Sequence, residues 1–139
     1  MLIAALDSDS QFTKRLNRLL KGLLINVDYV AFHSPSECLK YTMEHDVSLM
    51  FINQSIGNHF SDMQLLHYKL RKIRPHLDTL IVYNENKWDS SVALWTIQNR
   101  CSDYISKSVT EERLQDALKN IWFHPIAEVN FLKSASYYE

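Results

Sequence analysis

Val47-Ser48-Leu49-Met50-Phe51-Ile52-Asn53-Gln54 is a short apolar run closed by an amide side chain. A run of this length is too short for a buried helix and reads as a strand covered on both faces. In an open parallel sheet, ligands and reacting groups sit just beyond the carboxyl ends of such strands. Asn53 occupies that place.

Composition bounds what surrounds this strand. With 139 residues there is room for one domain with a real core. The apolar fraction of 46% is ordinary for a globular chain, and no long uncharged run is present to cross a membrane. Met1 to Leu6 is apolar, but Asp7 ends it and no basic segment precedes it, which argues against a secretory signal and for a cytoplasmic location. Cys38 and Cys101 are a sparse pair without metal-ligand spacing, expected as reduced thiols, and the histidines show no H-x-x-x-H pair for zinc. No cofactor or metal is therefore expected. The formal net charge of −1 gives no general pull toward nucleic acid. DNA would be reached only through an output domain outside this chain.

Outward from the central strand, apolar and polar stretches alternate. Leu2 to Leu6 is a first buried strand ending in Asp7-Ser8-Asp9-Ser10, where Ser8, Asp9 or Ser10 can cap a helix carrying Phe12, Leu16, Leu19, Leu20 and Leu23. Gly22 suits the exit turn. Val27 to Phe32 reads as a second strand, and Ser34-Pro35 opens a helix that runs to about Glu44. Beyond the third strand, Asp62 to Ile73 is helical and stopped by Pro75, Thr79 to Tyr83 is a strand, and 89 to 99 is helical. Asp103 to Ser106 is a short fifth strand, and a last helix opens at Thr110 and runs through Ile121 until His124-Pro125. Five strand–helix units predict an α/β domain, a doubly wound five-stranded parallel sheet with right-handed crossovers, over 1–123; 124–139 is a C-terminal tail or the start of a linker.

These residues carry a resemblance. Cys101-Ser102-Asp103-Tyr104-Ile105-Ser106-Lys107 resembles the A-D-D-Y-x-x-K segment of the receiver domains of two-component response regulators. The resemblance implies a flavodoxin-like fold with strand order 2-1-3-4-5. It places Lys107 at the family's phosphoryl-contacting lysine, Tyr104 at its aromatic switch and Asp7 at one of two magnesium-holding acids. Departures accompany the matches. Asn53 stands at the phosphoryl-acceptor aspartate. Ser8 aligns with the second acid, with Asp9 adjacent and able to substitute in part. Asn84, or Glu85 next to it, falls where a hydroxyl residue senses the phosphoryl group, and Ser108 replaces the proline after the lysine. An amide has no anionic oxygen to attack a phosphoryl donor and binds divalent cations more weakly than a carboxylate. The pattern resembles that of the atypical, pseudo-receiver branch.

The resemblance implies a phosphorylation-independent signalling module, of a transcriptional or other regulator, acting through a protein partner or a weak homodimer. The helix 4–strand 5–helix 5 surface is the expected face, with Trp88, Val92, Trp95 and Arg113 as its candidates. The alternative is a small flavodoxin-like binding protein or enzyme using the crevice, against which stands the lack of a glycine-rich phosphate loop. Blander roles remain open beside these. Asn53 is expected to hydrogen-bond Lys107 and lock the pocket, Lys107 and Asp7 can form an ion pair, and Tyr104 can be core packing. The basic residues Lys14, Arg15, Arg18 and Lys21 read as a solvated helix face. Lys69, Arg71, Lys72 and Arg74 read the same way, although their density makes a docking patch feasible.

Overall fold

The structure is a computed structural model, which describes residues 1–57, 59–87 and 89–122. Trp88 and the predicted tail 124–139, with its His124-Pro125 helix stop, lie outside the described residues. The elements follow in strict alternation: β1 (Leu2–Leu6), α1 (Ser10–Leu23), β2 (Asp28–Phe32), α2 (Pro35–Glu44), β3 (Leu49–Asn53), α3 (Phe60–Ile73), β4 (Asp78–Tyr83), a 3₁₀ turn (Glu85–Lys87), α4 (Ser90–Gln98), β5 (Asp103–Ser106) and α5 (Glu111–Ile121). The strands form one parallel sheet in the order β2-β1-β3-β4-β5. This is the flavodoxin-like receiver architecture expected above.

β3 is the middle strand and all five of its residues are buried. Alternation sends Leu49 and Phe51 to one face, where they pack with α1 and α5, and Met50 and Ile52 to the other, where they meet α2, α3 and α4. Burying each such side chain contributes about 1.5–3 kcal/mol. The two-sided core explains why β3 reads as an uninterrupted apolar run rather than an alternating one.

Local chemistry sets the element ends. Asp9, one of the three capping candidates, caps α1 by accepting from the backbone N–H groups of Gln11 and Phe12. Thr110 caps α5 and Asp89 caps α4 in the same way. Pro35 takes the first position of α2, where no backbone donor is needed. Gly22 does not form the exit turn of α1. It lies inside the last turn of the helix, and the left-handed residue is Asn26, at φ 56°. Asparagine tolerates that region because its short polar side chain can bond locally. Among the described residues no helix is long and apolar enough to cross a membrane.

Candidate functional site

Sheet register builds the site. Leu6 pairs with Ile52, so the next residues along, Asp7 and Asn53, emerge side by side at the carboxyl ends of β1 and β3. Tyr83 pairs with Ser106, and Lys107 continues that ladder by donating its N–H to the Tyr83 carbonyl. The crevice these ends enclose is the one that parallel sheets use for ligands.

Asp7 is its hub and is only 2% exposed. Its Oδ2 accepts from Asn53 Nδ2 at 2.9 Å, and its Oδ1 accepts from the Asp9 N–H at 2.9 Å and faces Lys107 Nζ at 3.4 Å. Lys107 lies equally far, 3.4 Å, from Asp9 Oδ2 and stands over the Phe12 ring. Asp9 is held below the usual carboxylate range, first by the Phe12 N–H it accepts and in part by Lys107, while its partial burial works the other way. The expected Asn53–Lys107 bond is replaced by a three-body arrangement: amide and ammonium both bind Asp7.

The Asn53 carboxamide has its orientation fixed from both ends. While Nδ2 donates to Asp7, Oδ1 accepts from the Ser55 N–H at 2.7 Å. A flipped amide would place oxygen against carboxylate and N–H against N–H. The nitrogen, not the oxygen, therefore faces Asp7. Asn53 thus turns no oxygen ligand toward the crevice for a divalent cation, and the Asp7 and Asp9 carboxylate oxygens converge instead on Lys107 Nζ. Among the described residues no group of three His, Cys, Asp or Glu side chains could hold a metal.

Other expected site residues fall partly into place. Ser8 is exposed and none of these bonds runs to it; Asp9 brings the second carboxylate instead. Asn84 turns its Oδ1 back to the Asn86 N–H, closing its own turn. The cross-strand contact comes from Glu85, whose Oε1 accepts a short hydrogen bond from Ser106 Oγ. Ser106 Oγ in turn accepts from the Ser108 N–H at 3.0 Å, a donor that a proline at 108 could not supply. Bonds from Ser106 and Ser108 hold the Glu85 carboxyl below its ordinary range. Tyr104 is half-buried beside Tyr83, ring centroids 6.2 Å apart, and its carbonyl accepts from Arg113 Nη2 at 3.0 Å.

Of the interface candidates one requires correction, and two others also make contacts within the chain. Val92 is 4% exposed and belongs to the core, because it lies on the inner face of α4 with Thr96. Trp95 is half-buried and packs edge-on against Phe60 and His67. Arg113 is occupied within the chain by Asp103 Oδ2 at 3.0 Å as well as by the Tyr104 carbonyl. The exposed apolar residues of α4 are Leu94, at 56%, and Ile97, at 70%, on a helix with no charged residue. Helical phase marks them: counting from the buried pair Val92 and Thr96 gives the outer positions.

Sequence reading also missed Arg15, grouped with a solvated face. It is half-buried and donates to the carbonyls of Lys107 (3.2 Å) and Val109, fastening the β5–α5 loop beside the crevice. A buried polar knot lies further down. His67, 4% exposed, has its Nε2 2.9 Å from Thr79 Oγ1 and 3.4 Å from Cys101 Sγ, both able to donate to an unprotonated nitrogen. Burial, with a smaller effect from Arg71, pushes this histidine down to about 4.

Together the sheet order, the five flanking helices and a crevice formed by Asp7, Asp9, Asn53 and Lys107 define a domain with the receiver fold. No family model and no curated protein sequence matches the chain. Solved structures do match. A response regulator from Thermotoga maritima superposes with a TM-score of 0.76 at 14% identity, covering 88% of this chain and 98% of that one. A response regulator receiver domain protein from Clostridium thermocellum gives 0.72 at 18% identity, over 91% and 97% of the two chains. A response regulator from Burkholderia pseudomallei, solved with a phosphorylated aspartic acid, calcium ion and citrate, gives 0.70 at 17%, over 91% and 72%. At these identities the likeness is one of fold.

Proposed function

We infer that this chain is a signalling module of the two-component type, cytoplasmic and not an enzyme, which works without aspartyl phosphorylation and acts through protein contacts. The observation that carries this reading is Asn53, clamped between Asp7 and the Ser55 N–H where a receiver would present its acceptor carboxylate. No anionic oxygen stands there to attack phosphorus. Lys107, already shared by Asp7 and Asp9, holds the crevice closed on itself without an added anion. Such a domain rests in one state, and its output is a surface rather than a switch.

For that surface the reading favours α4. Leu94 and Ile97 project from an uncharged helix, and exposed apolar residues of this size attract a self-complementary partner. A weak homodimer through the α4–β5–α5 face, or a protein partner on it, conveys the output of a transcriptional or other regulator. Intact-mass measurement after incubation with acetyl phosphate and magnesium tests the chemical half of this reading. An unchanged mass supports it, and a phosphorylated Asp7 or Asp9 overturns it.

A second reading, a small-ligand binding protein, draws on a cavity of about 360 Å3 between the β3–α3 and β4–α4 loops. Gln54 lines it, its Nε2 bonded to the Lys87 carbonyl and its Oε1 buried without a partner among the described residues. Ligand-induced protection of the Gln54 side-chain amide in NMR would favour that reading over the first.

A further inference from the structure

The side of the molecule formed by α2 and α3 carries features the crevice does not use. A groove of about 280 Å3 runs between the two helices, lined by Pro35, Leu39, Ile56, Leu65 and Leu66, with Asp62 and Lys69 as its charged residues. Its α2 wall continues by helical spacing from Pro35 through Leu39 to Met43, which is 64% exposed. On the α3 wall Leu65 is 53% exposed and Tyr68 57%, with Lys69 and Lys72 following on the same outer face. Of these exposed apolar side chains Leu65 lines the groove itself, and Met43 and Tyr68 lie further along the two helices that form its walls.

The groove is held in shape at both ends. At one end Gly57 adopts φ 80°, and a Cβ there would lie 2.5 Å from Asp62 Cβ, so the β3–α3 loop sits tight on the first turn of α3. At the other end Arg74 Nε donates to the Thr42 carbonyl at 3.1 Å, tying the end of α3 to the end of α2.

Charge selects the occupant. Of the two charged residues lining the groove, Asp62 is drawn back onto the His59 N–H at 2.9 Å, while Lys69 is exposed, with Lys72 following on the same outer face of α3. Lys72 Nζ stands 5.2 Å from the Tyr68 ring centroid, placing a cation beside the apolar rim. Glu37 and Asp62 are confined to the first turns of their helices, while Glu44 closes α2. We propose that the α2–α3 groove docks a short amphipathic helix of a partner protein, with aliphatic side chains set between Leu39, Met43 and Leu65 and carboxylates beside Lys69 and Lys72. The concave, apolar floor favours a helix over a lipid surface, which needs a flat or convex face, and over nucleic acid, which needs phosphate contacts rather than an apolar floor.

The test titrates the full chain with a synthetic helical peptide carrying leucine along one face and glutamate on its flanks. The same peptide with lysine for glutamate, and phosphatidylserine vesicles, form the other arms. Saturable binding of the glutamate peptide is expected, weakening with added salt and falling by about tenfold or more in Leu65→Asp and in the double variant Lys69→Glu, Lys72→Glu. These positions are exposed, and circular dichroism confirms that the variants are folded. The proposal is overturned by an absence of saturable binding, by equal binding of the lysine peptide, or by binding unchanged in both variants. Retention on vesicles without peptide binding, or self-association blocked by the same substitutions, overturns it too.

Discussion

Asn53 shows how one atom changes a site. An aspartate in its place would set two carboxylates about as close as the present amide–carboxylate pair, 2.9 Å, with only Lys107 to offset them. We therefore expect Asn53→Asp to lower stability in a chelator by on the order of 1–3 kcal/mol, and added magnesium to restore part of it. Thermal melts in chelator and in magnesium check this; a variant as stable as the parent in chelator would show that the amide contributes nothing. A pH dependence belongs to this scale as well. His67 stays neutral when folded down to about 4, against an ordinary value of 6.5. Between those values the unfolded chain binds a proton that the folded chain does not, so stability falls as pH drops from about 6.5 toward about 4 and is fully present above that window. Denaturant titrations across this range should show the loss in the parent and a flatter profile in His67→Gln.

At the scale of elements, periodicity and capping chemistry explain what was legible. α2 and β5 fall within the residues their sequence signals mark, Ser34-Pro35 at one end and Asp103-Tyr104 at the other, and β3 is shorter than its apolar run by the residues that enter the flanking loops. Contacts between elements distant in sequence were not legible. Arg15 reads as one of four cations on a helix, and only the fold brings it beneath the Lys107 and Val109 carbonyls. Glu85 and Ser106 are 21 residues apart, so no local pattern announces their bond. Val92 was misread because a polar helix start and two nearby tryptophans hid the phase of α4, which its buried partner Thr96 reveals. The clasp of Glu85, Ser106 and Ser108 makes a prediction of its own. Ser108→Pro removes the backbone donor and should cost about 1 kcal/mol and raise amide exchange in the β4–α4 turn. Unchanged exchange at Asn86 and Lys87 would mean that the clasp does not hold that turn.

The described residues form a receiver fold in which Asp7, Asp9, Asn53 and Lys107 bond one another in the crevice and the outer helices carry exposed apolar side chains. Two faces stand out, the uncharged outer side of α4 and the apolar groove between α2 and α3. If α4 mediates pairing, Leu94→Asp with Ile97→Asp should abolish concentration-dependent association in sedimentation, whereas Arg113→Glu should act chiefly on stability because Arg113 is bonded within the chain. A dimer untouched by the α4 substitutions would move the interface elsewhere. The central claim, that this crevice does not accept a phosphoryl group, has one direct measurement: intact mass and peptide mapping of the full chain after exposure to acetyl phosphate and magnesium. The account predicts a mass identical to that of the untreated chain, with no adduct at Asp7, Asp9 or Asn53. A stable phosphoryl adduct on either aspartate, lost in the corresponding Asp→Asn variant, would contradict it.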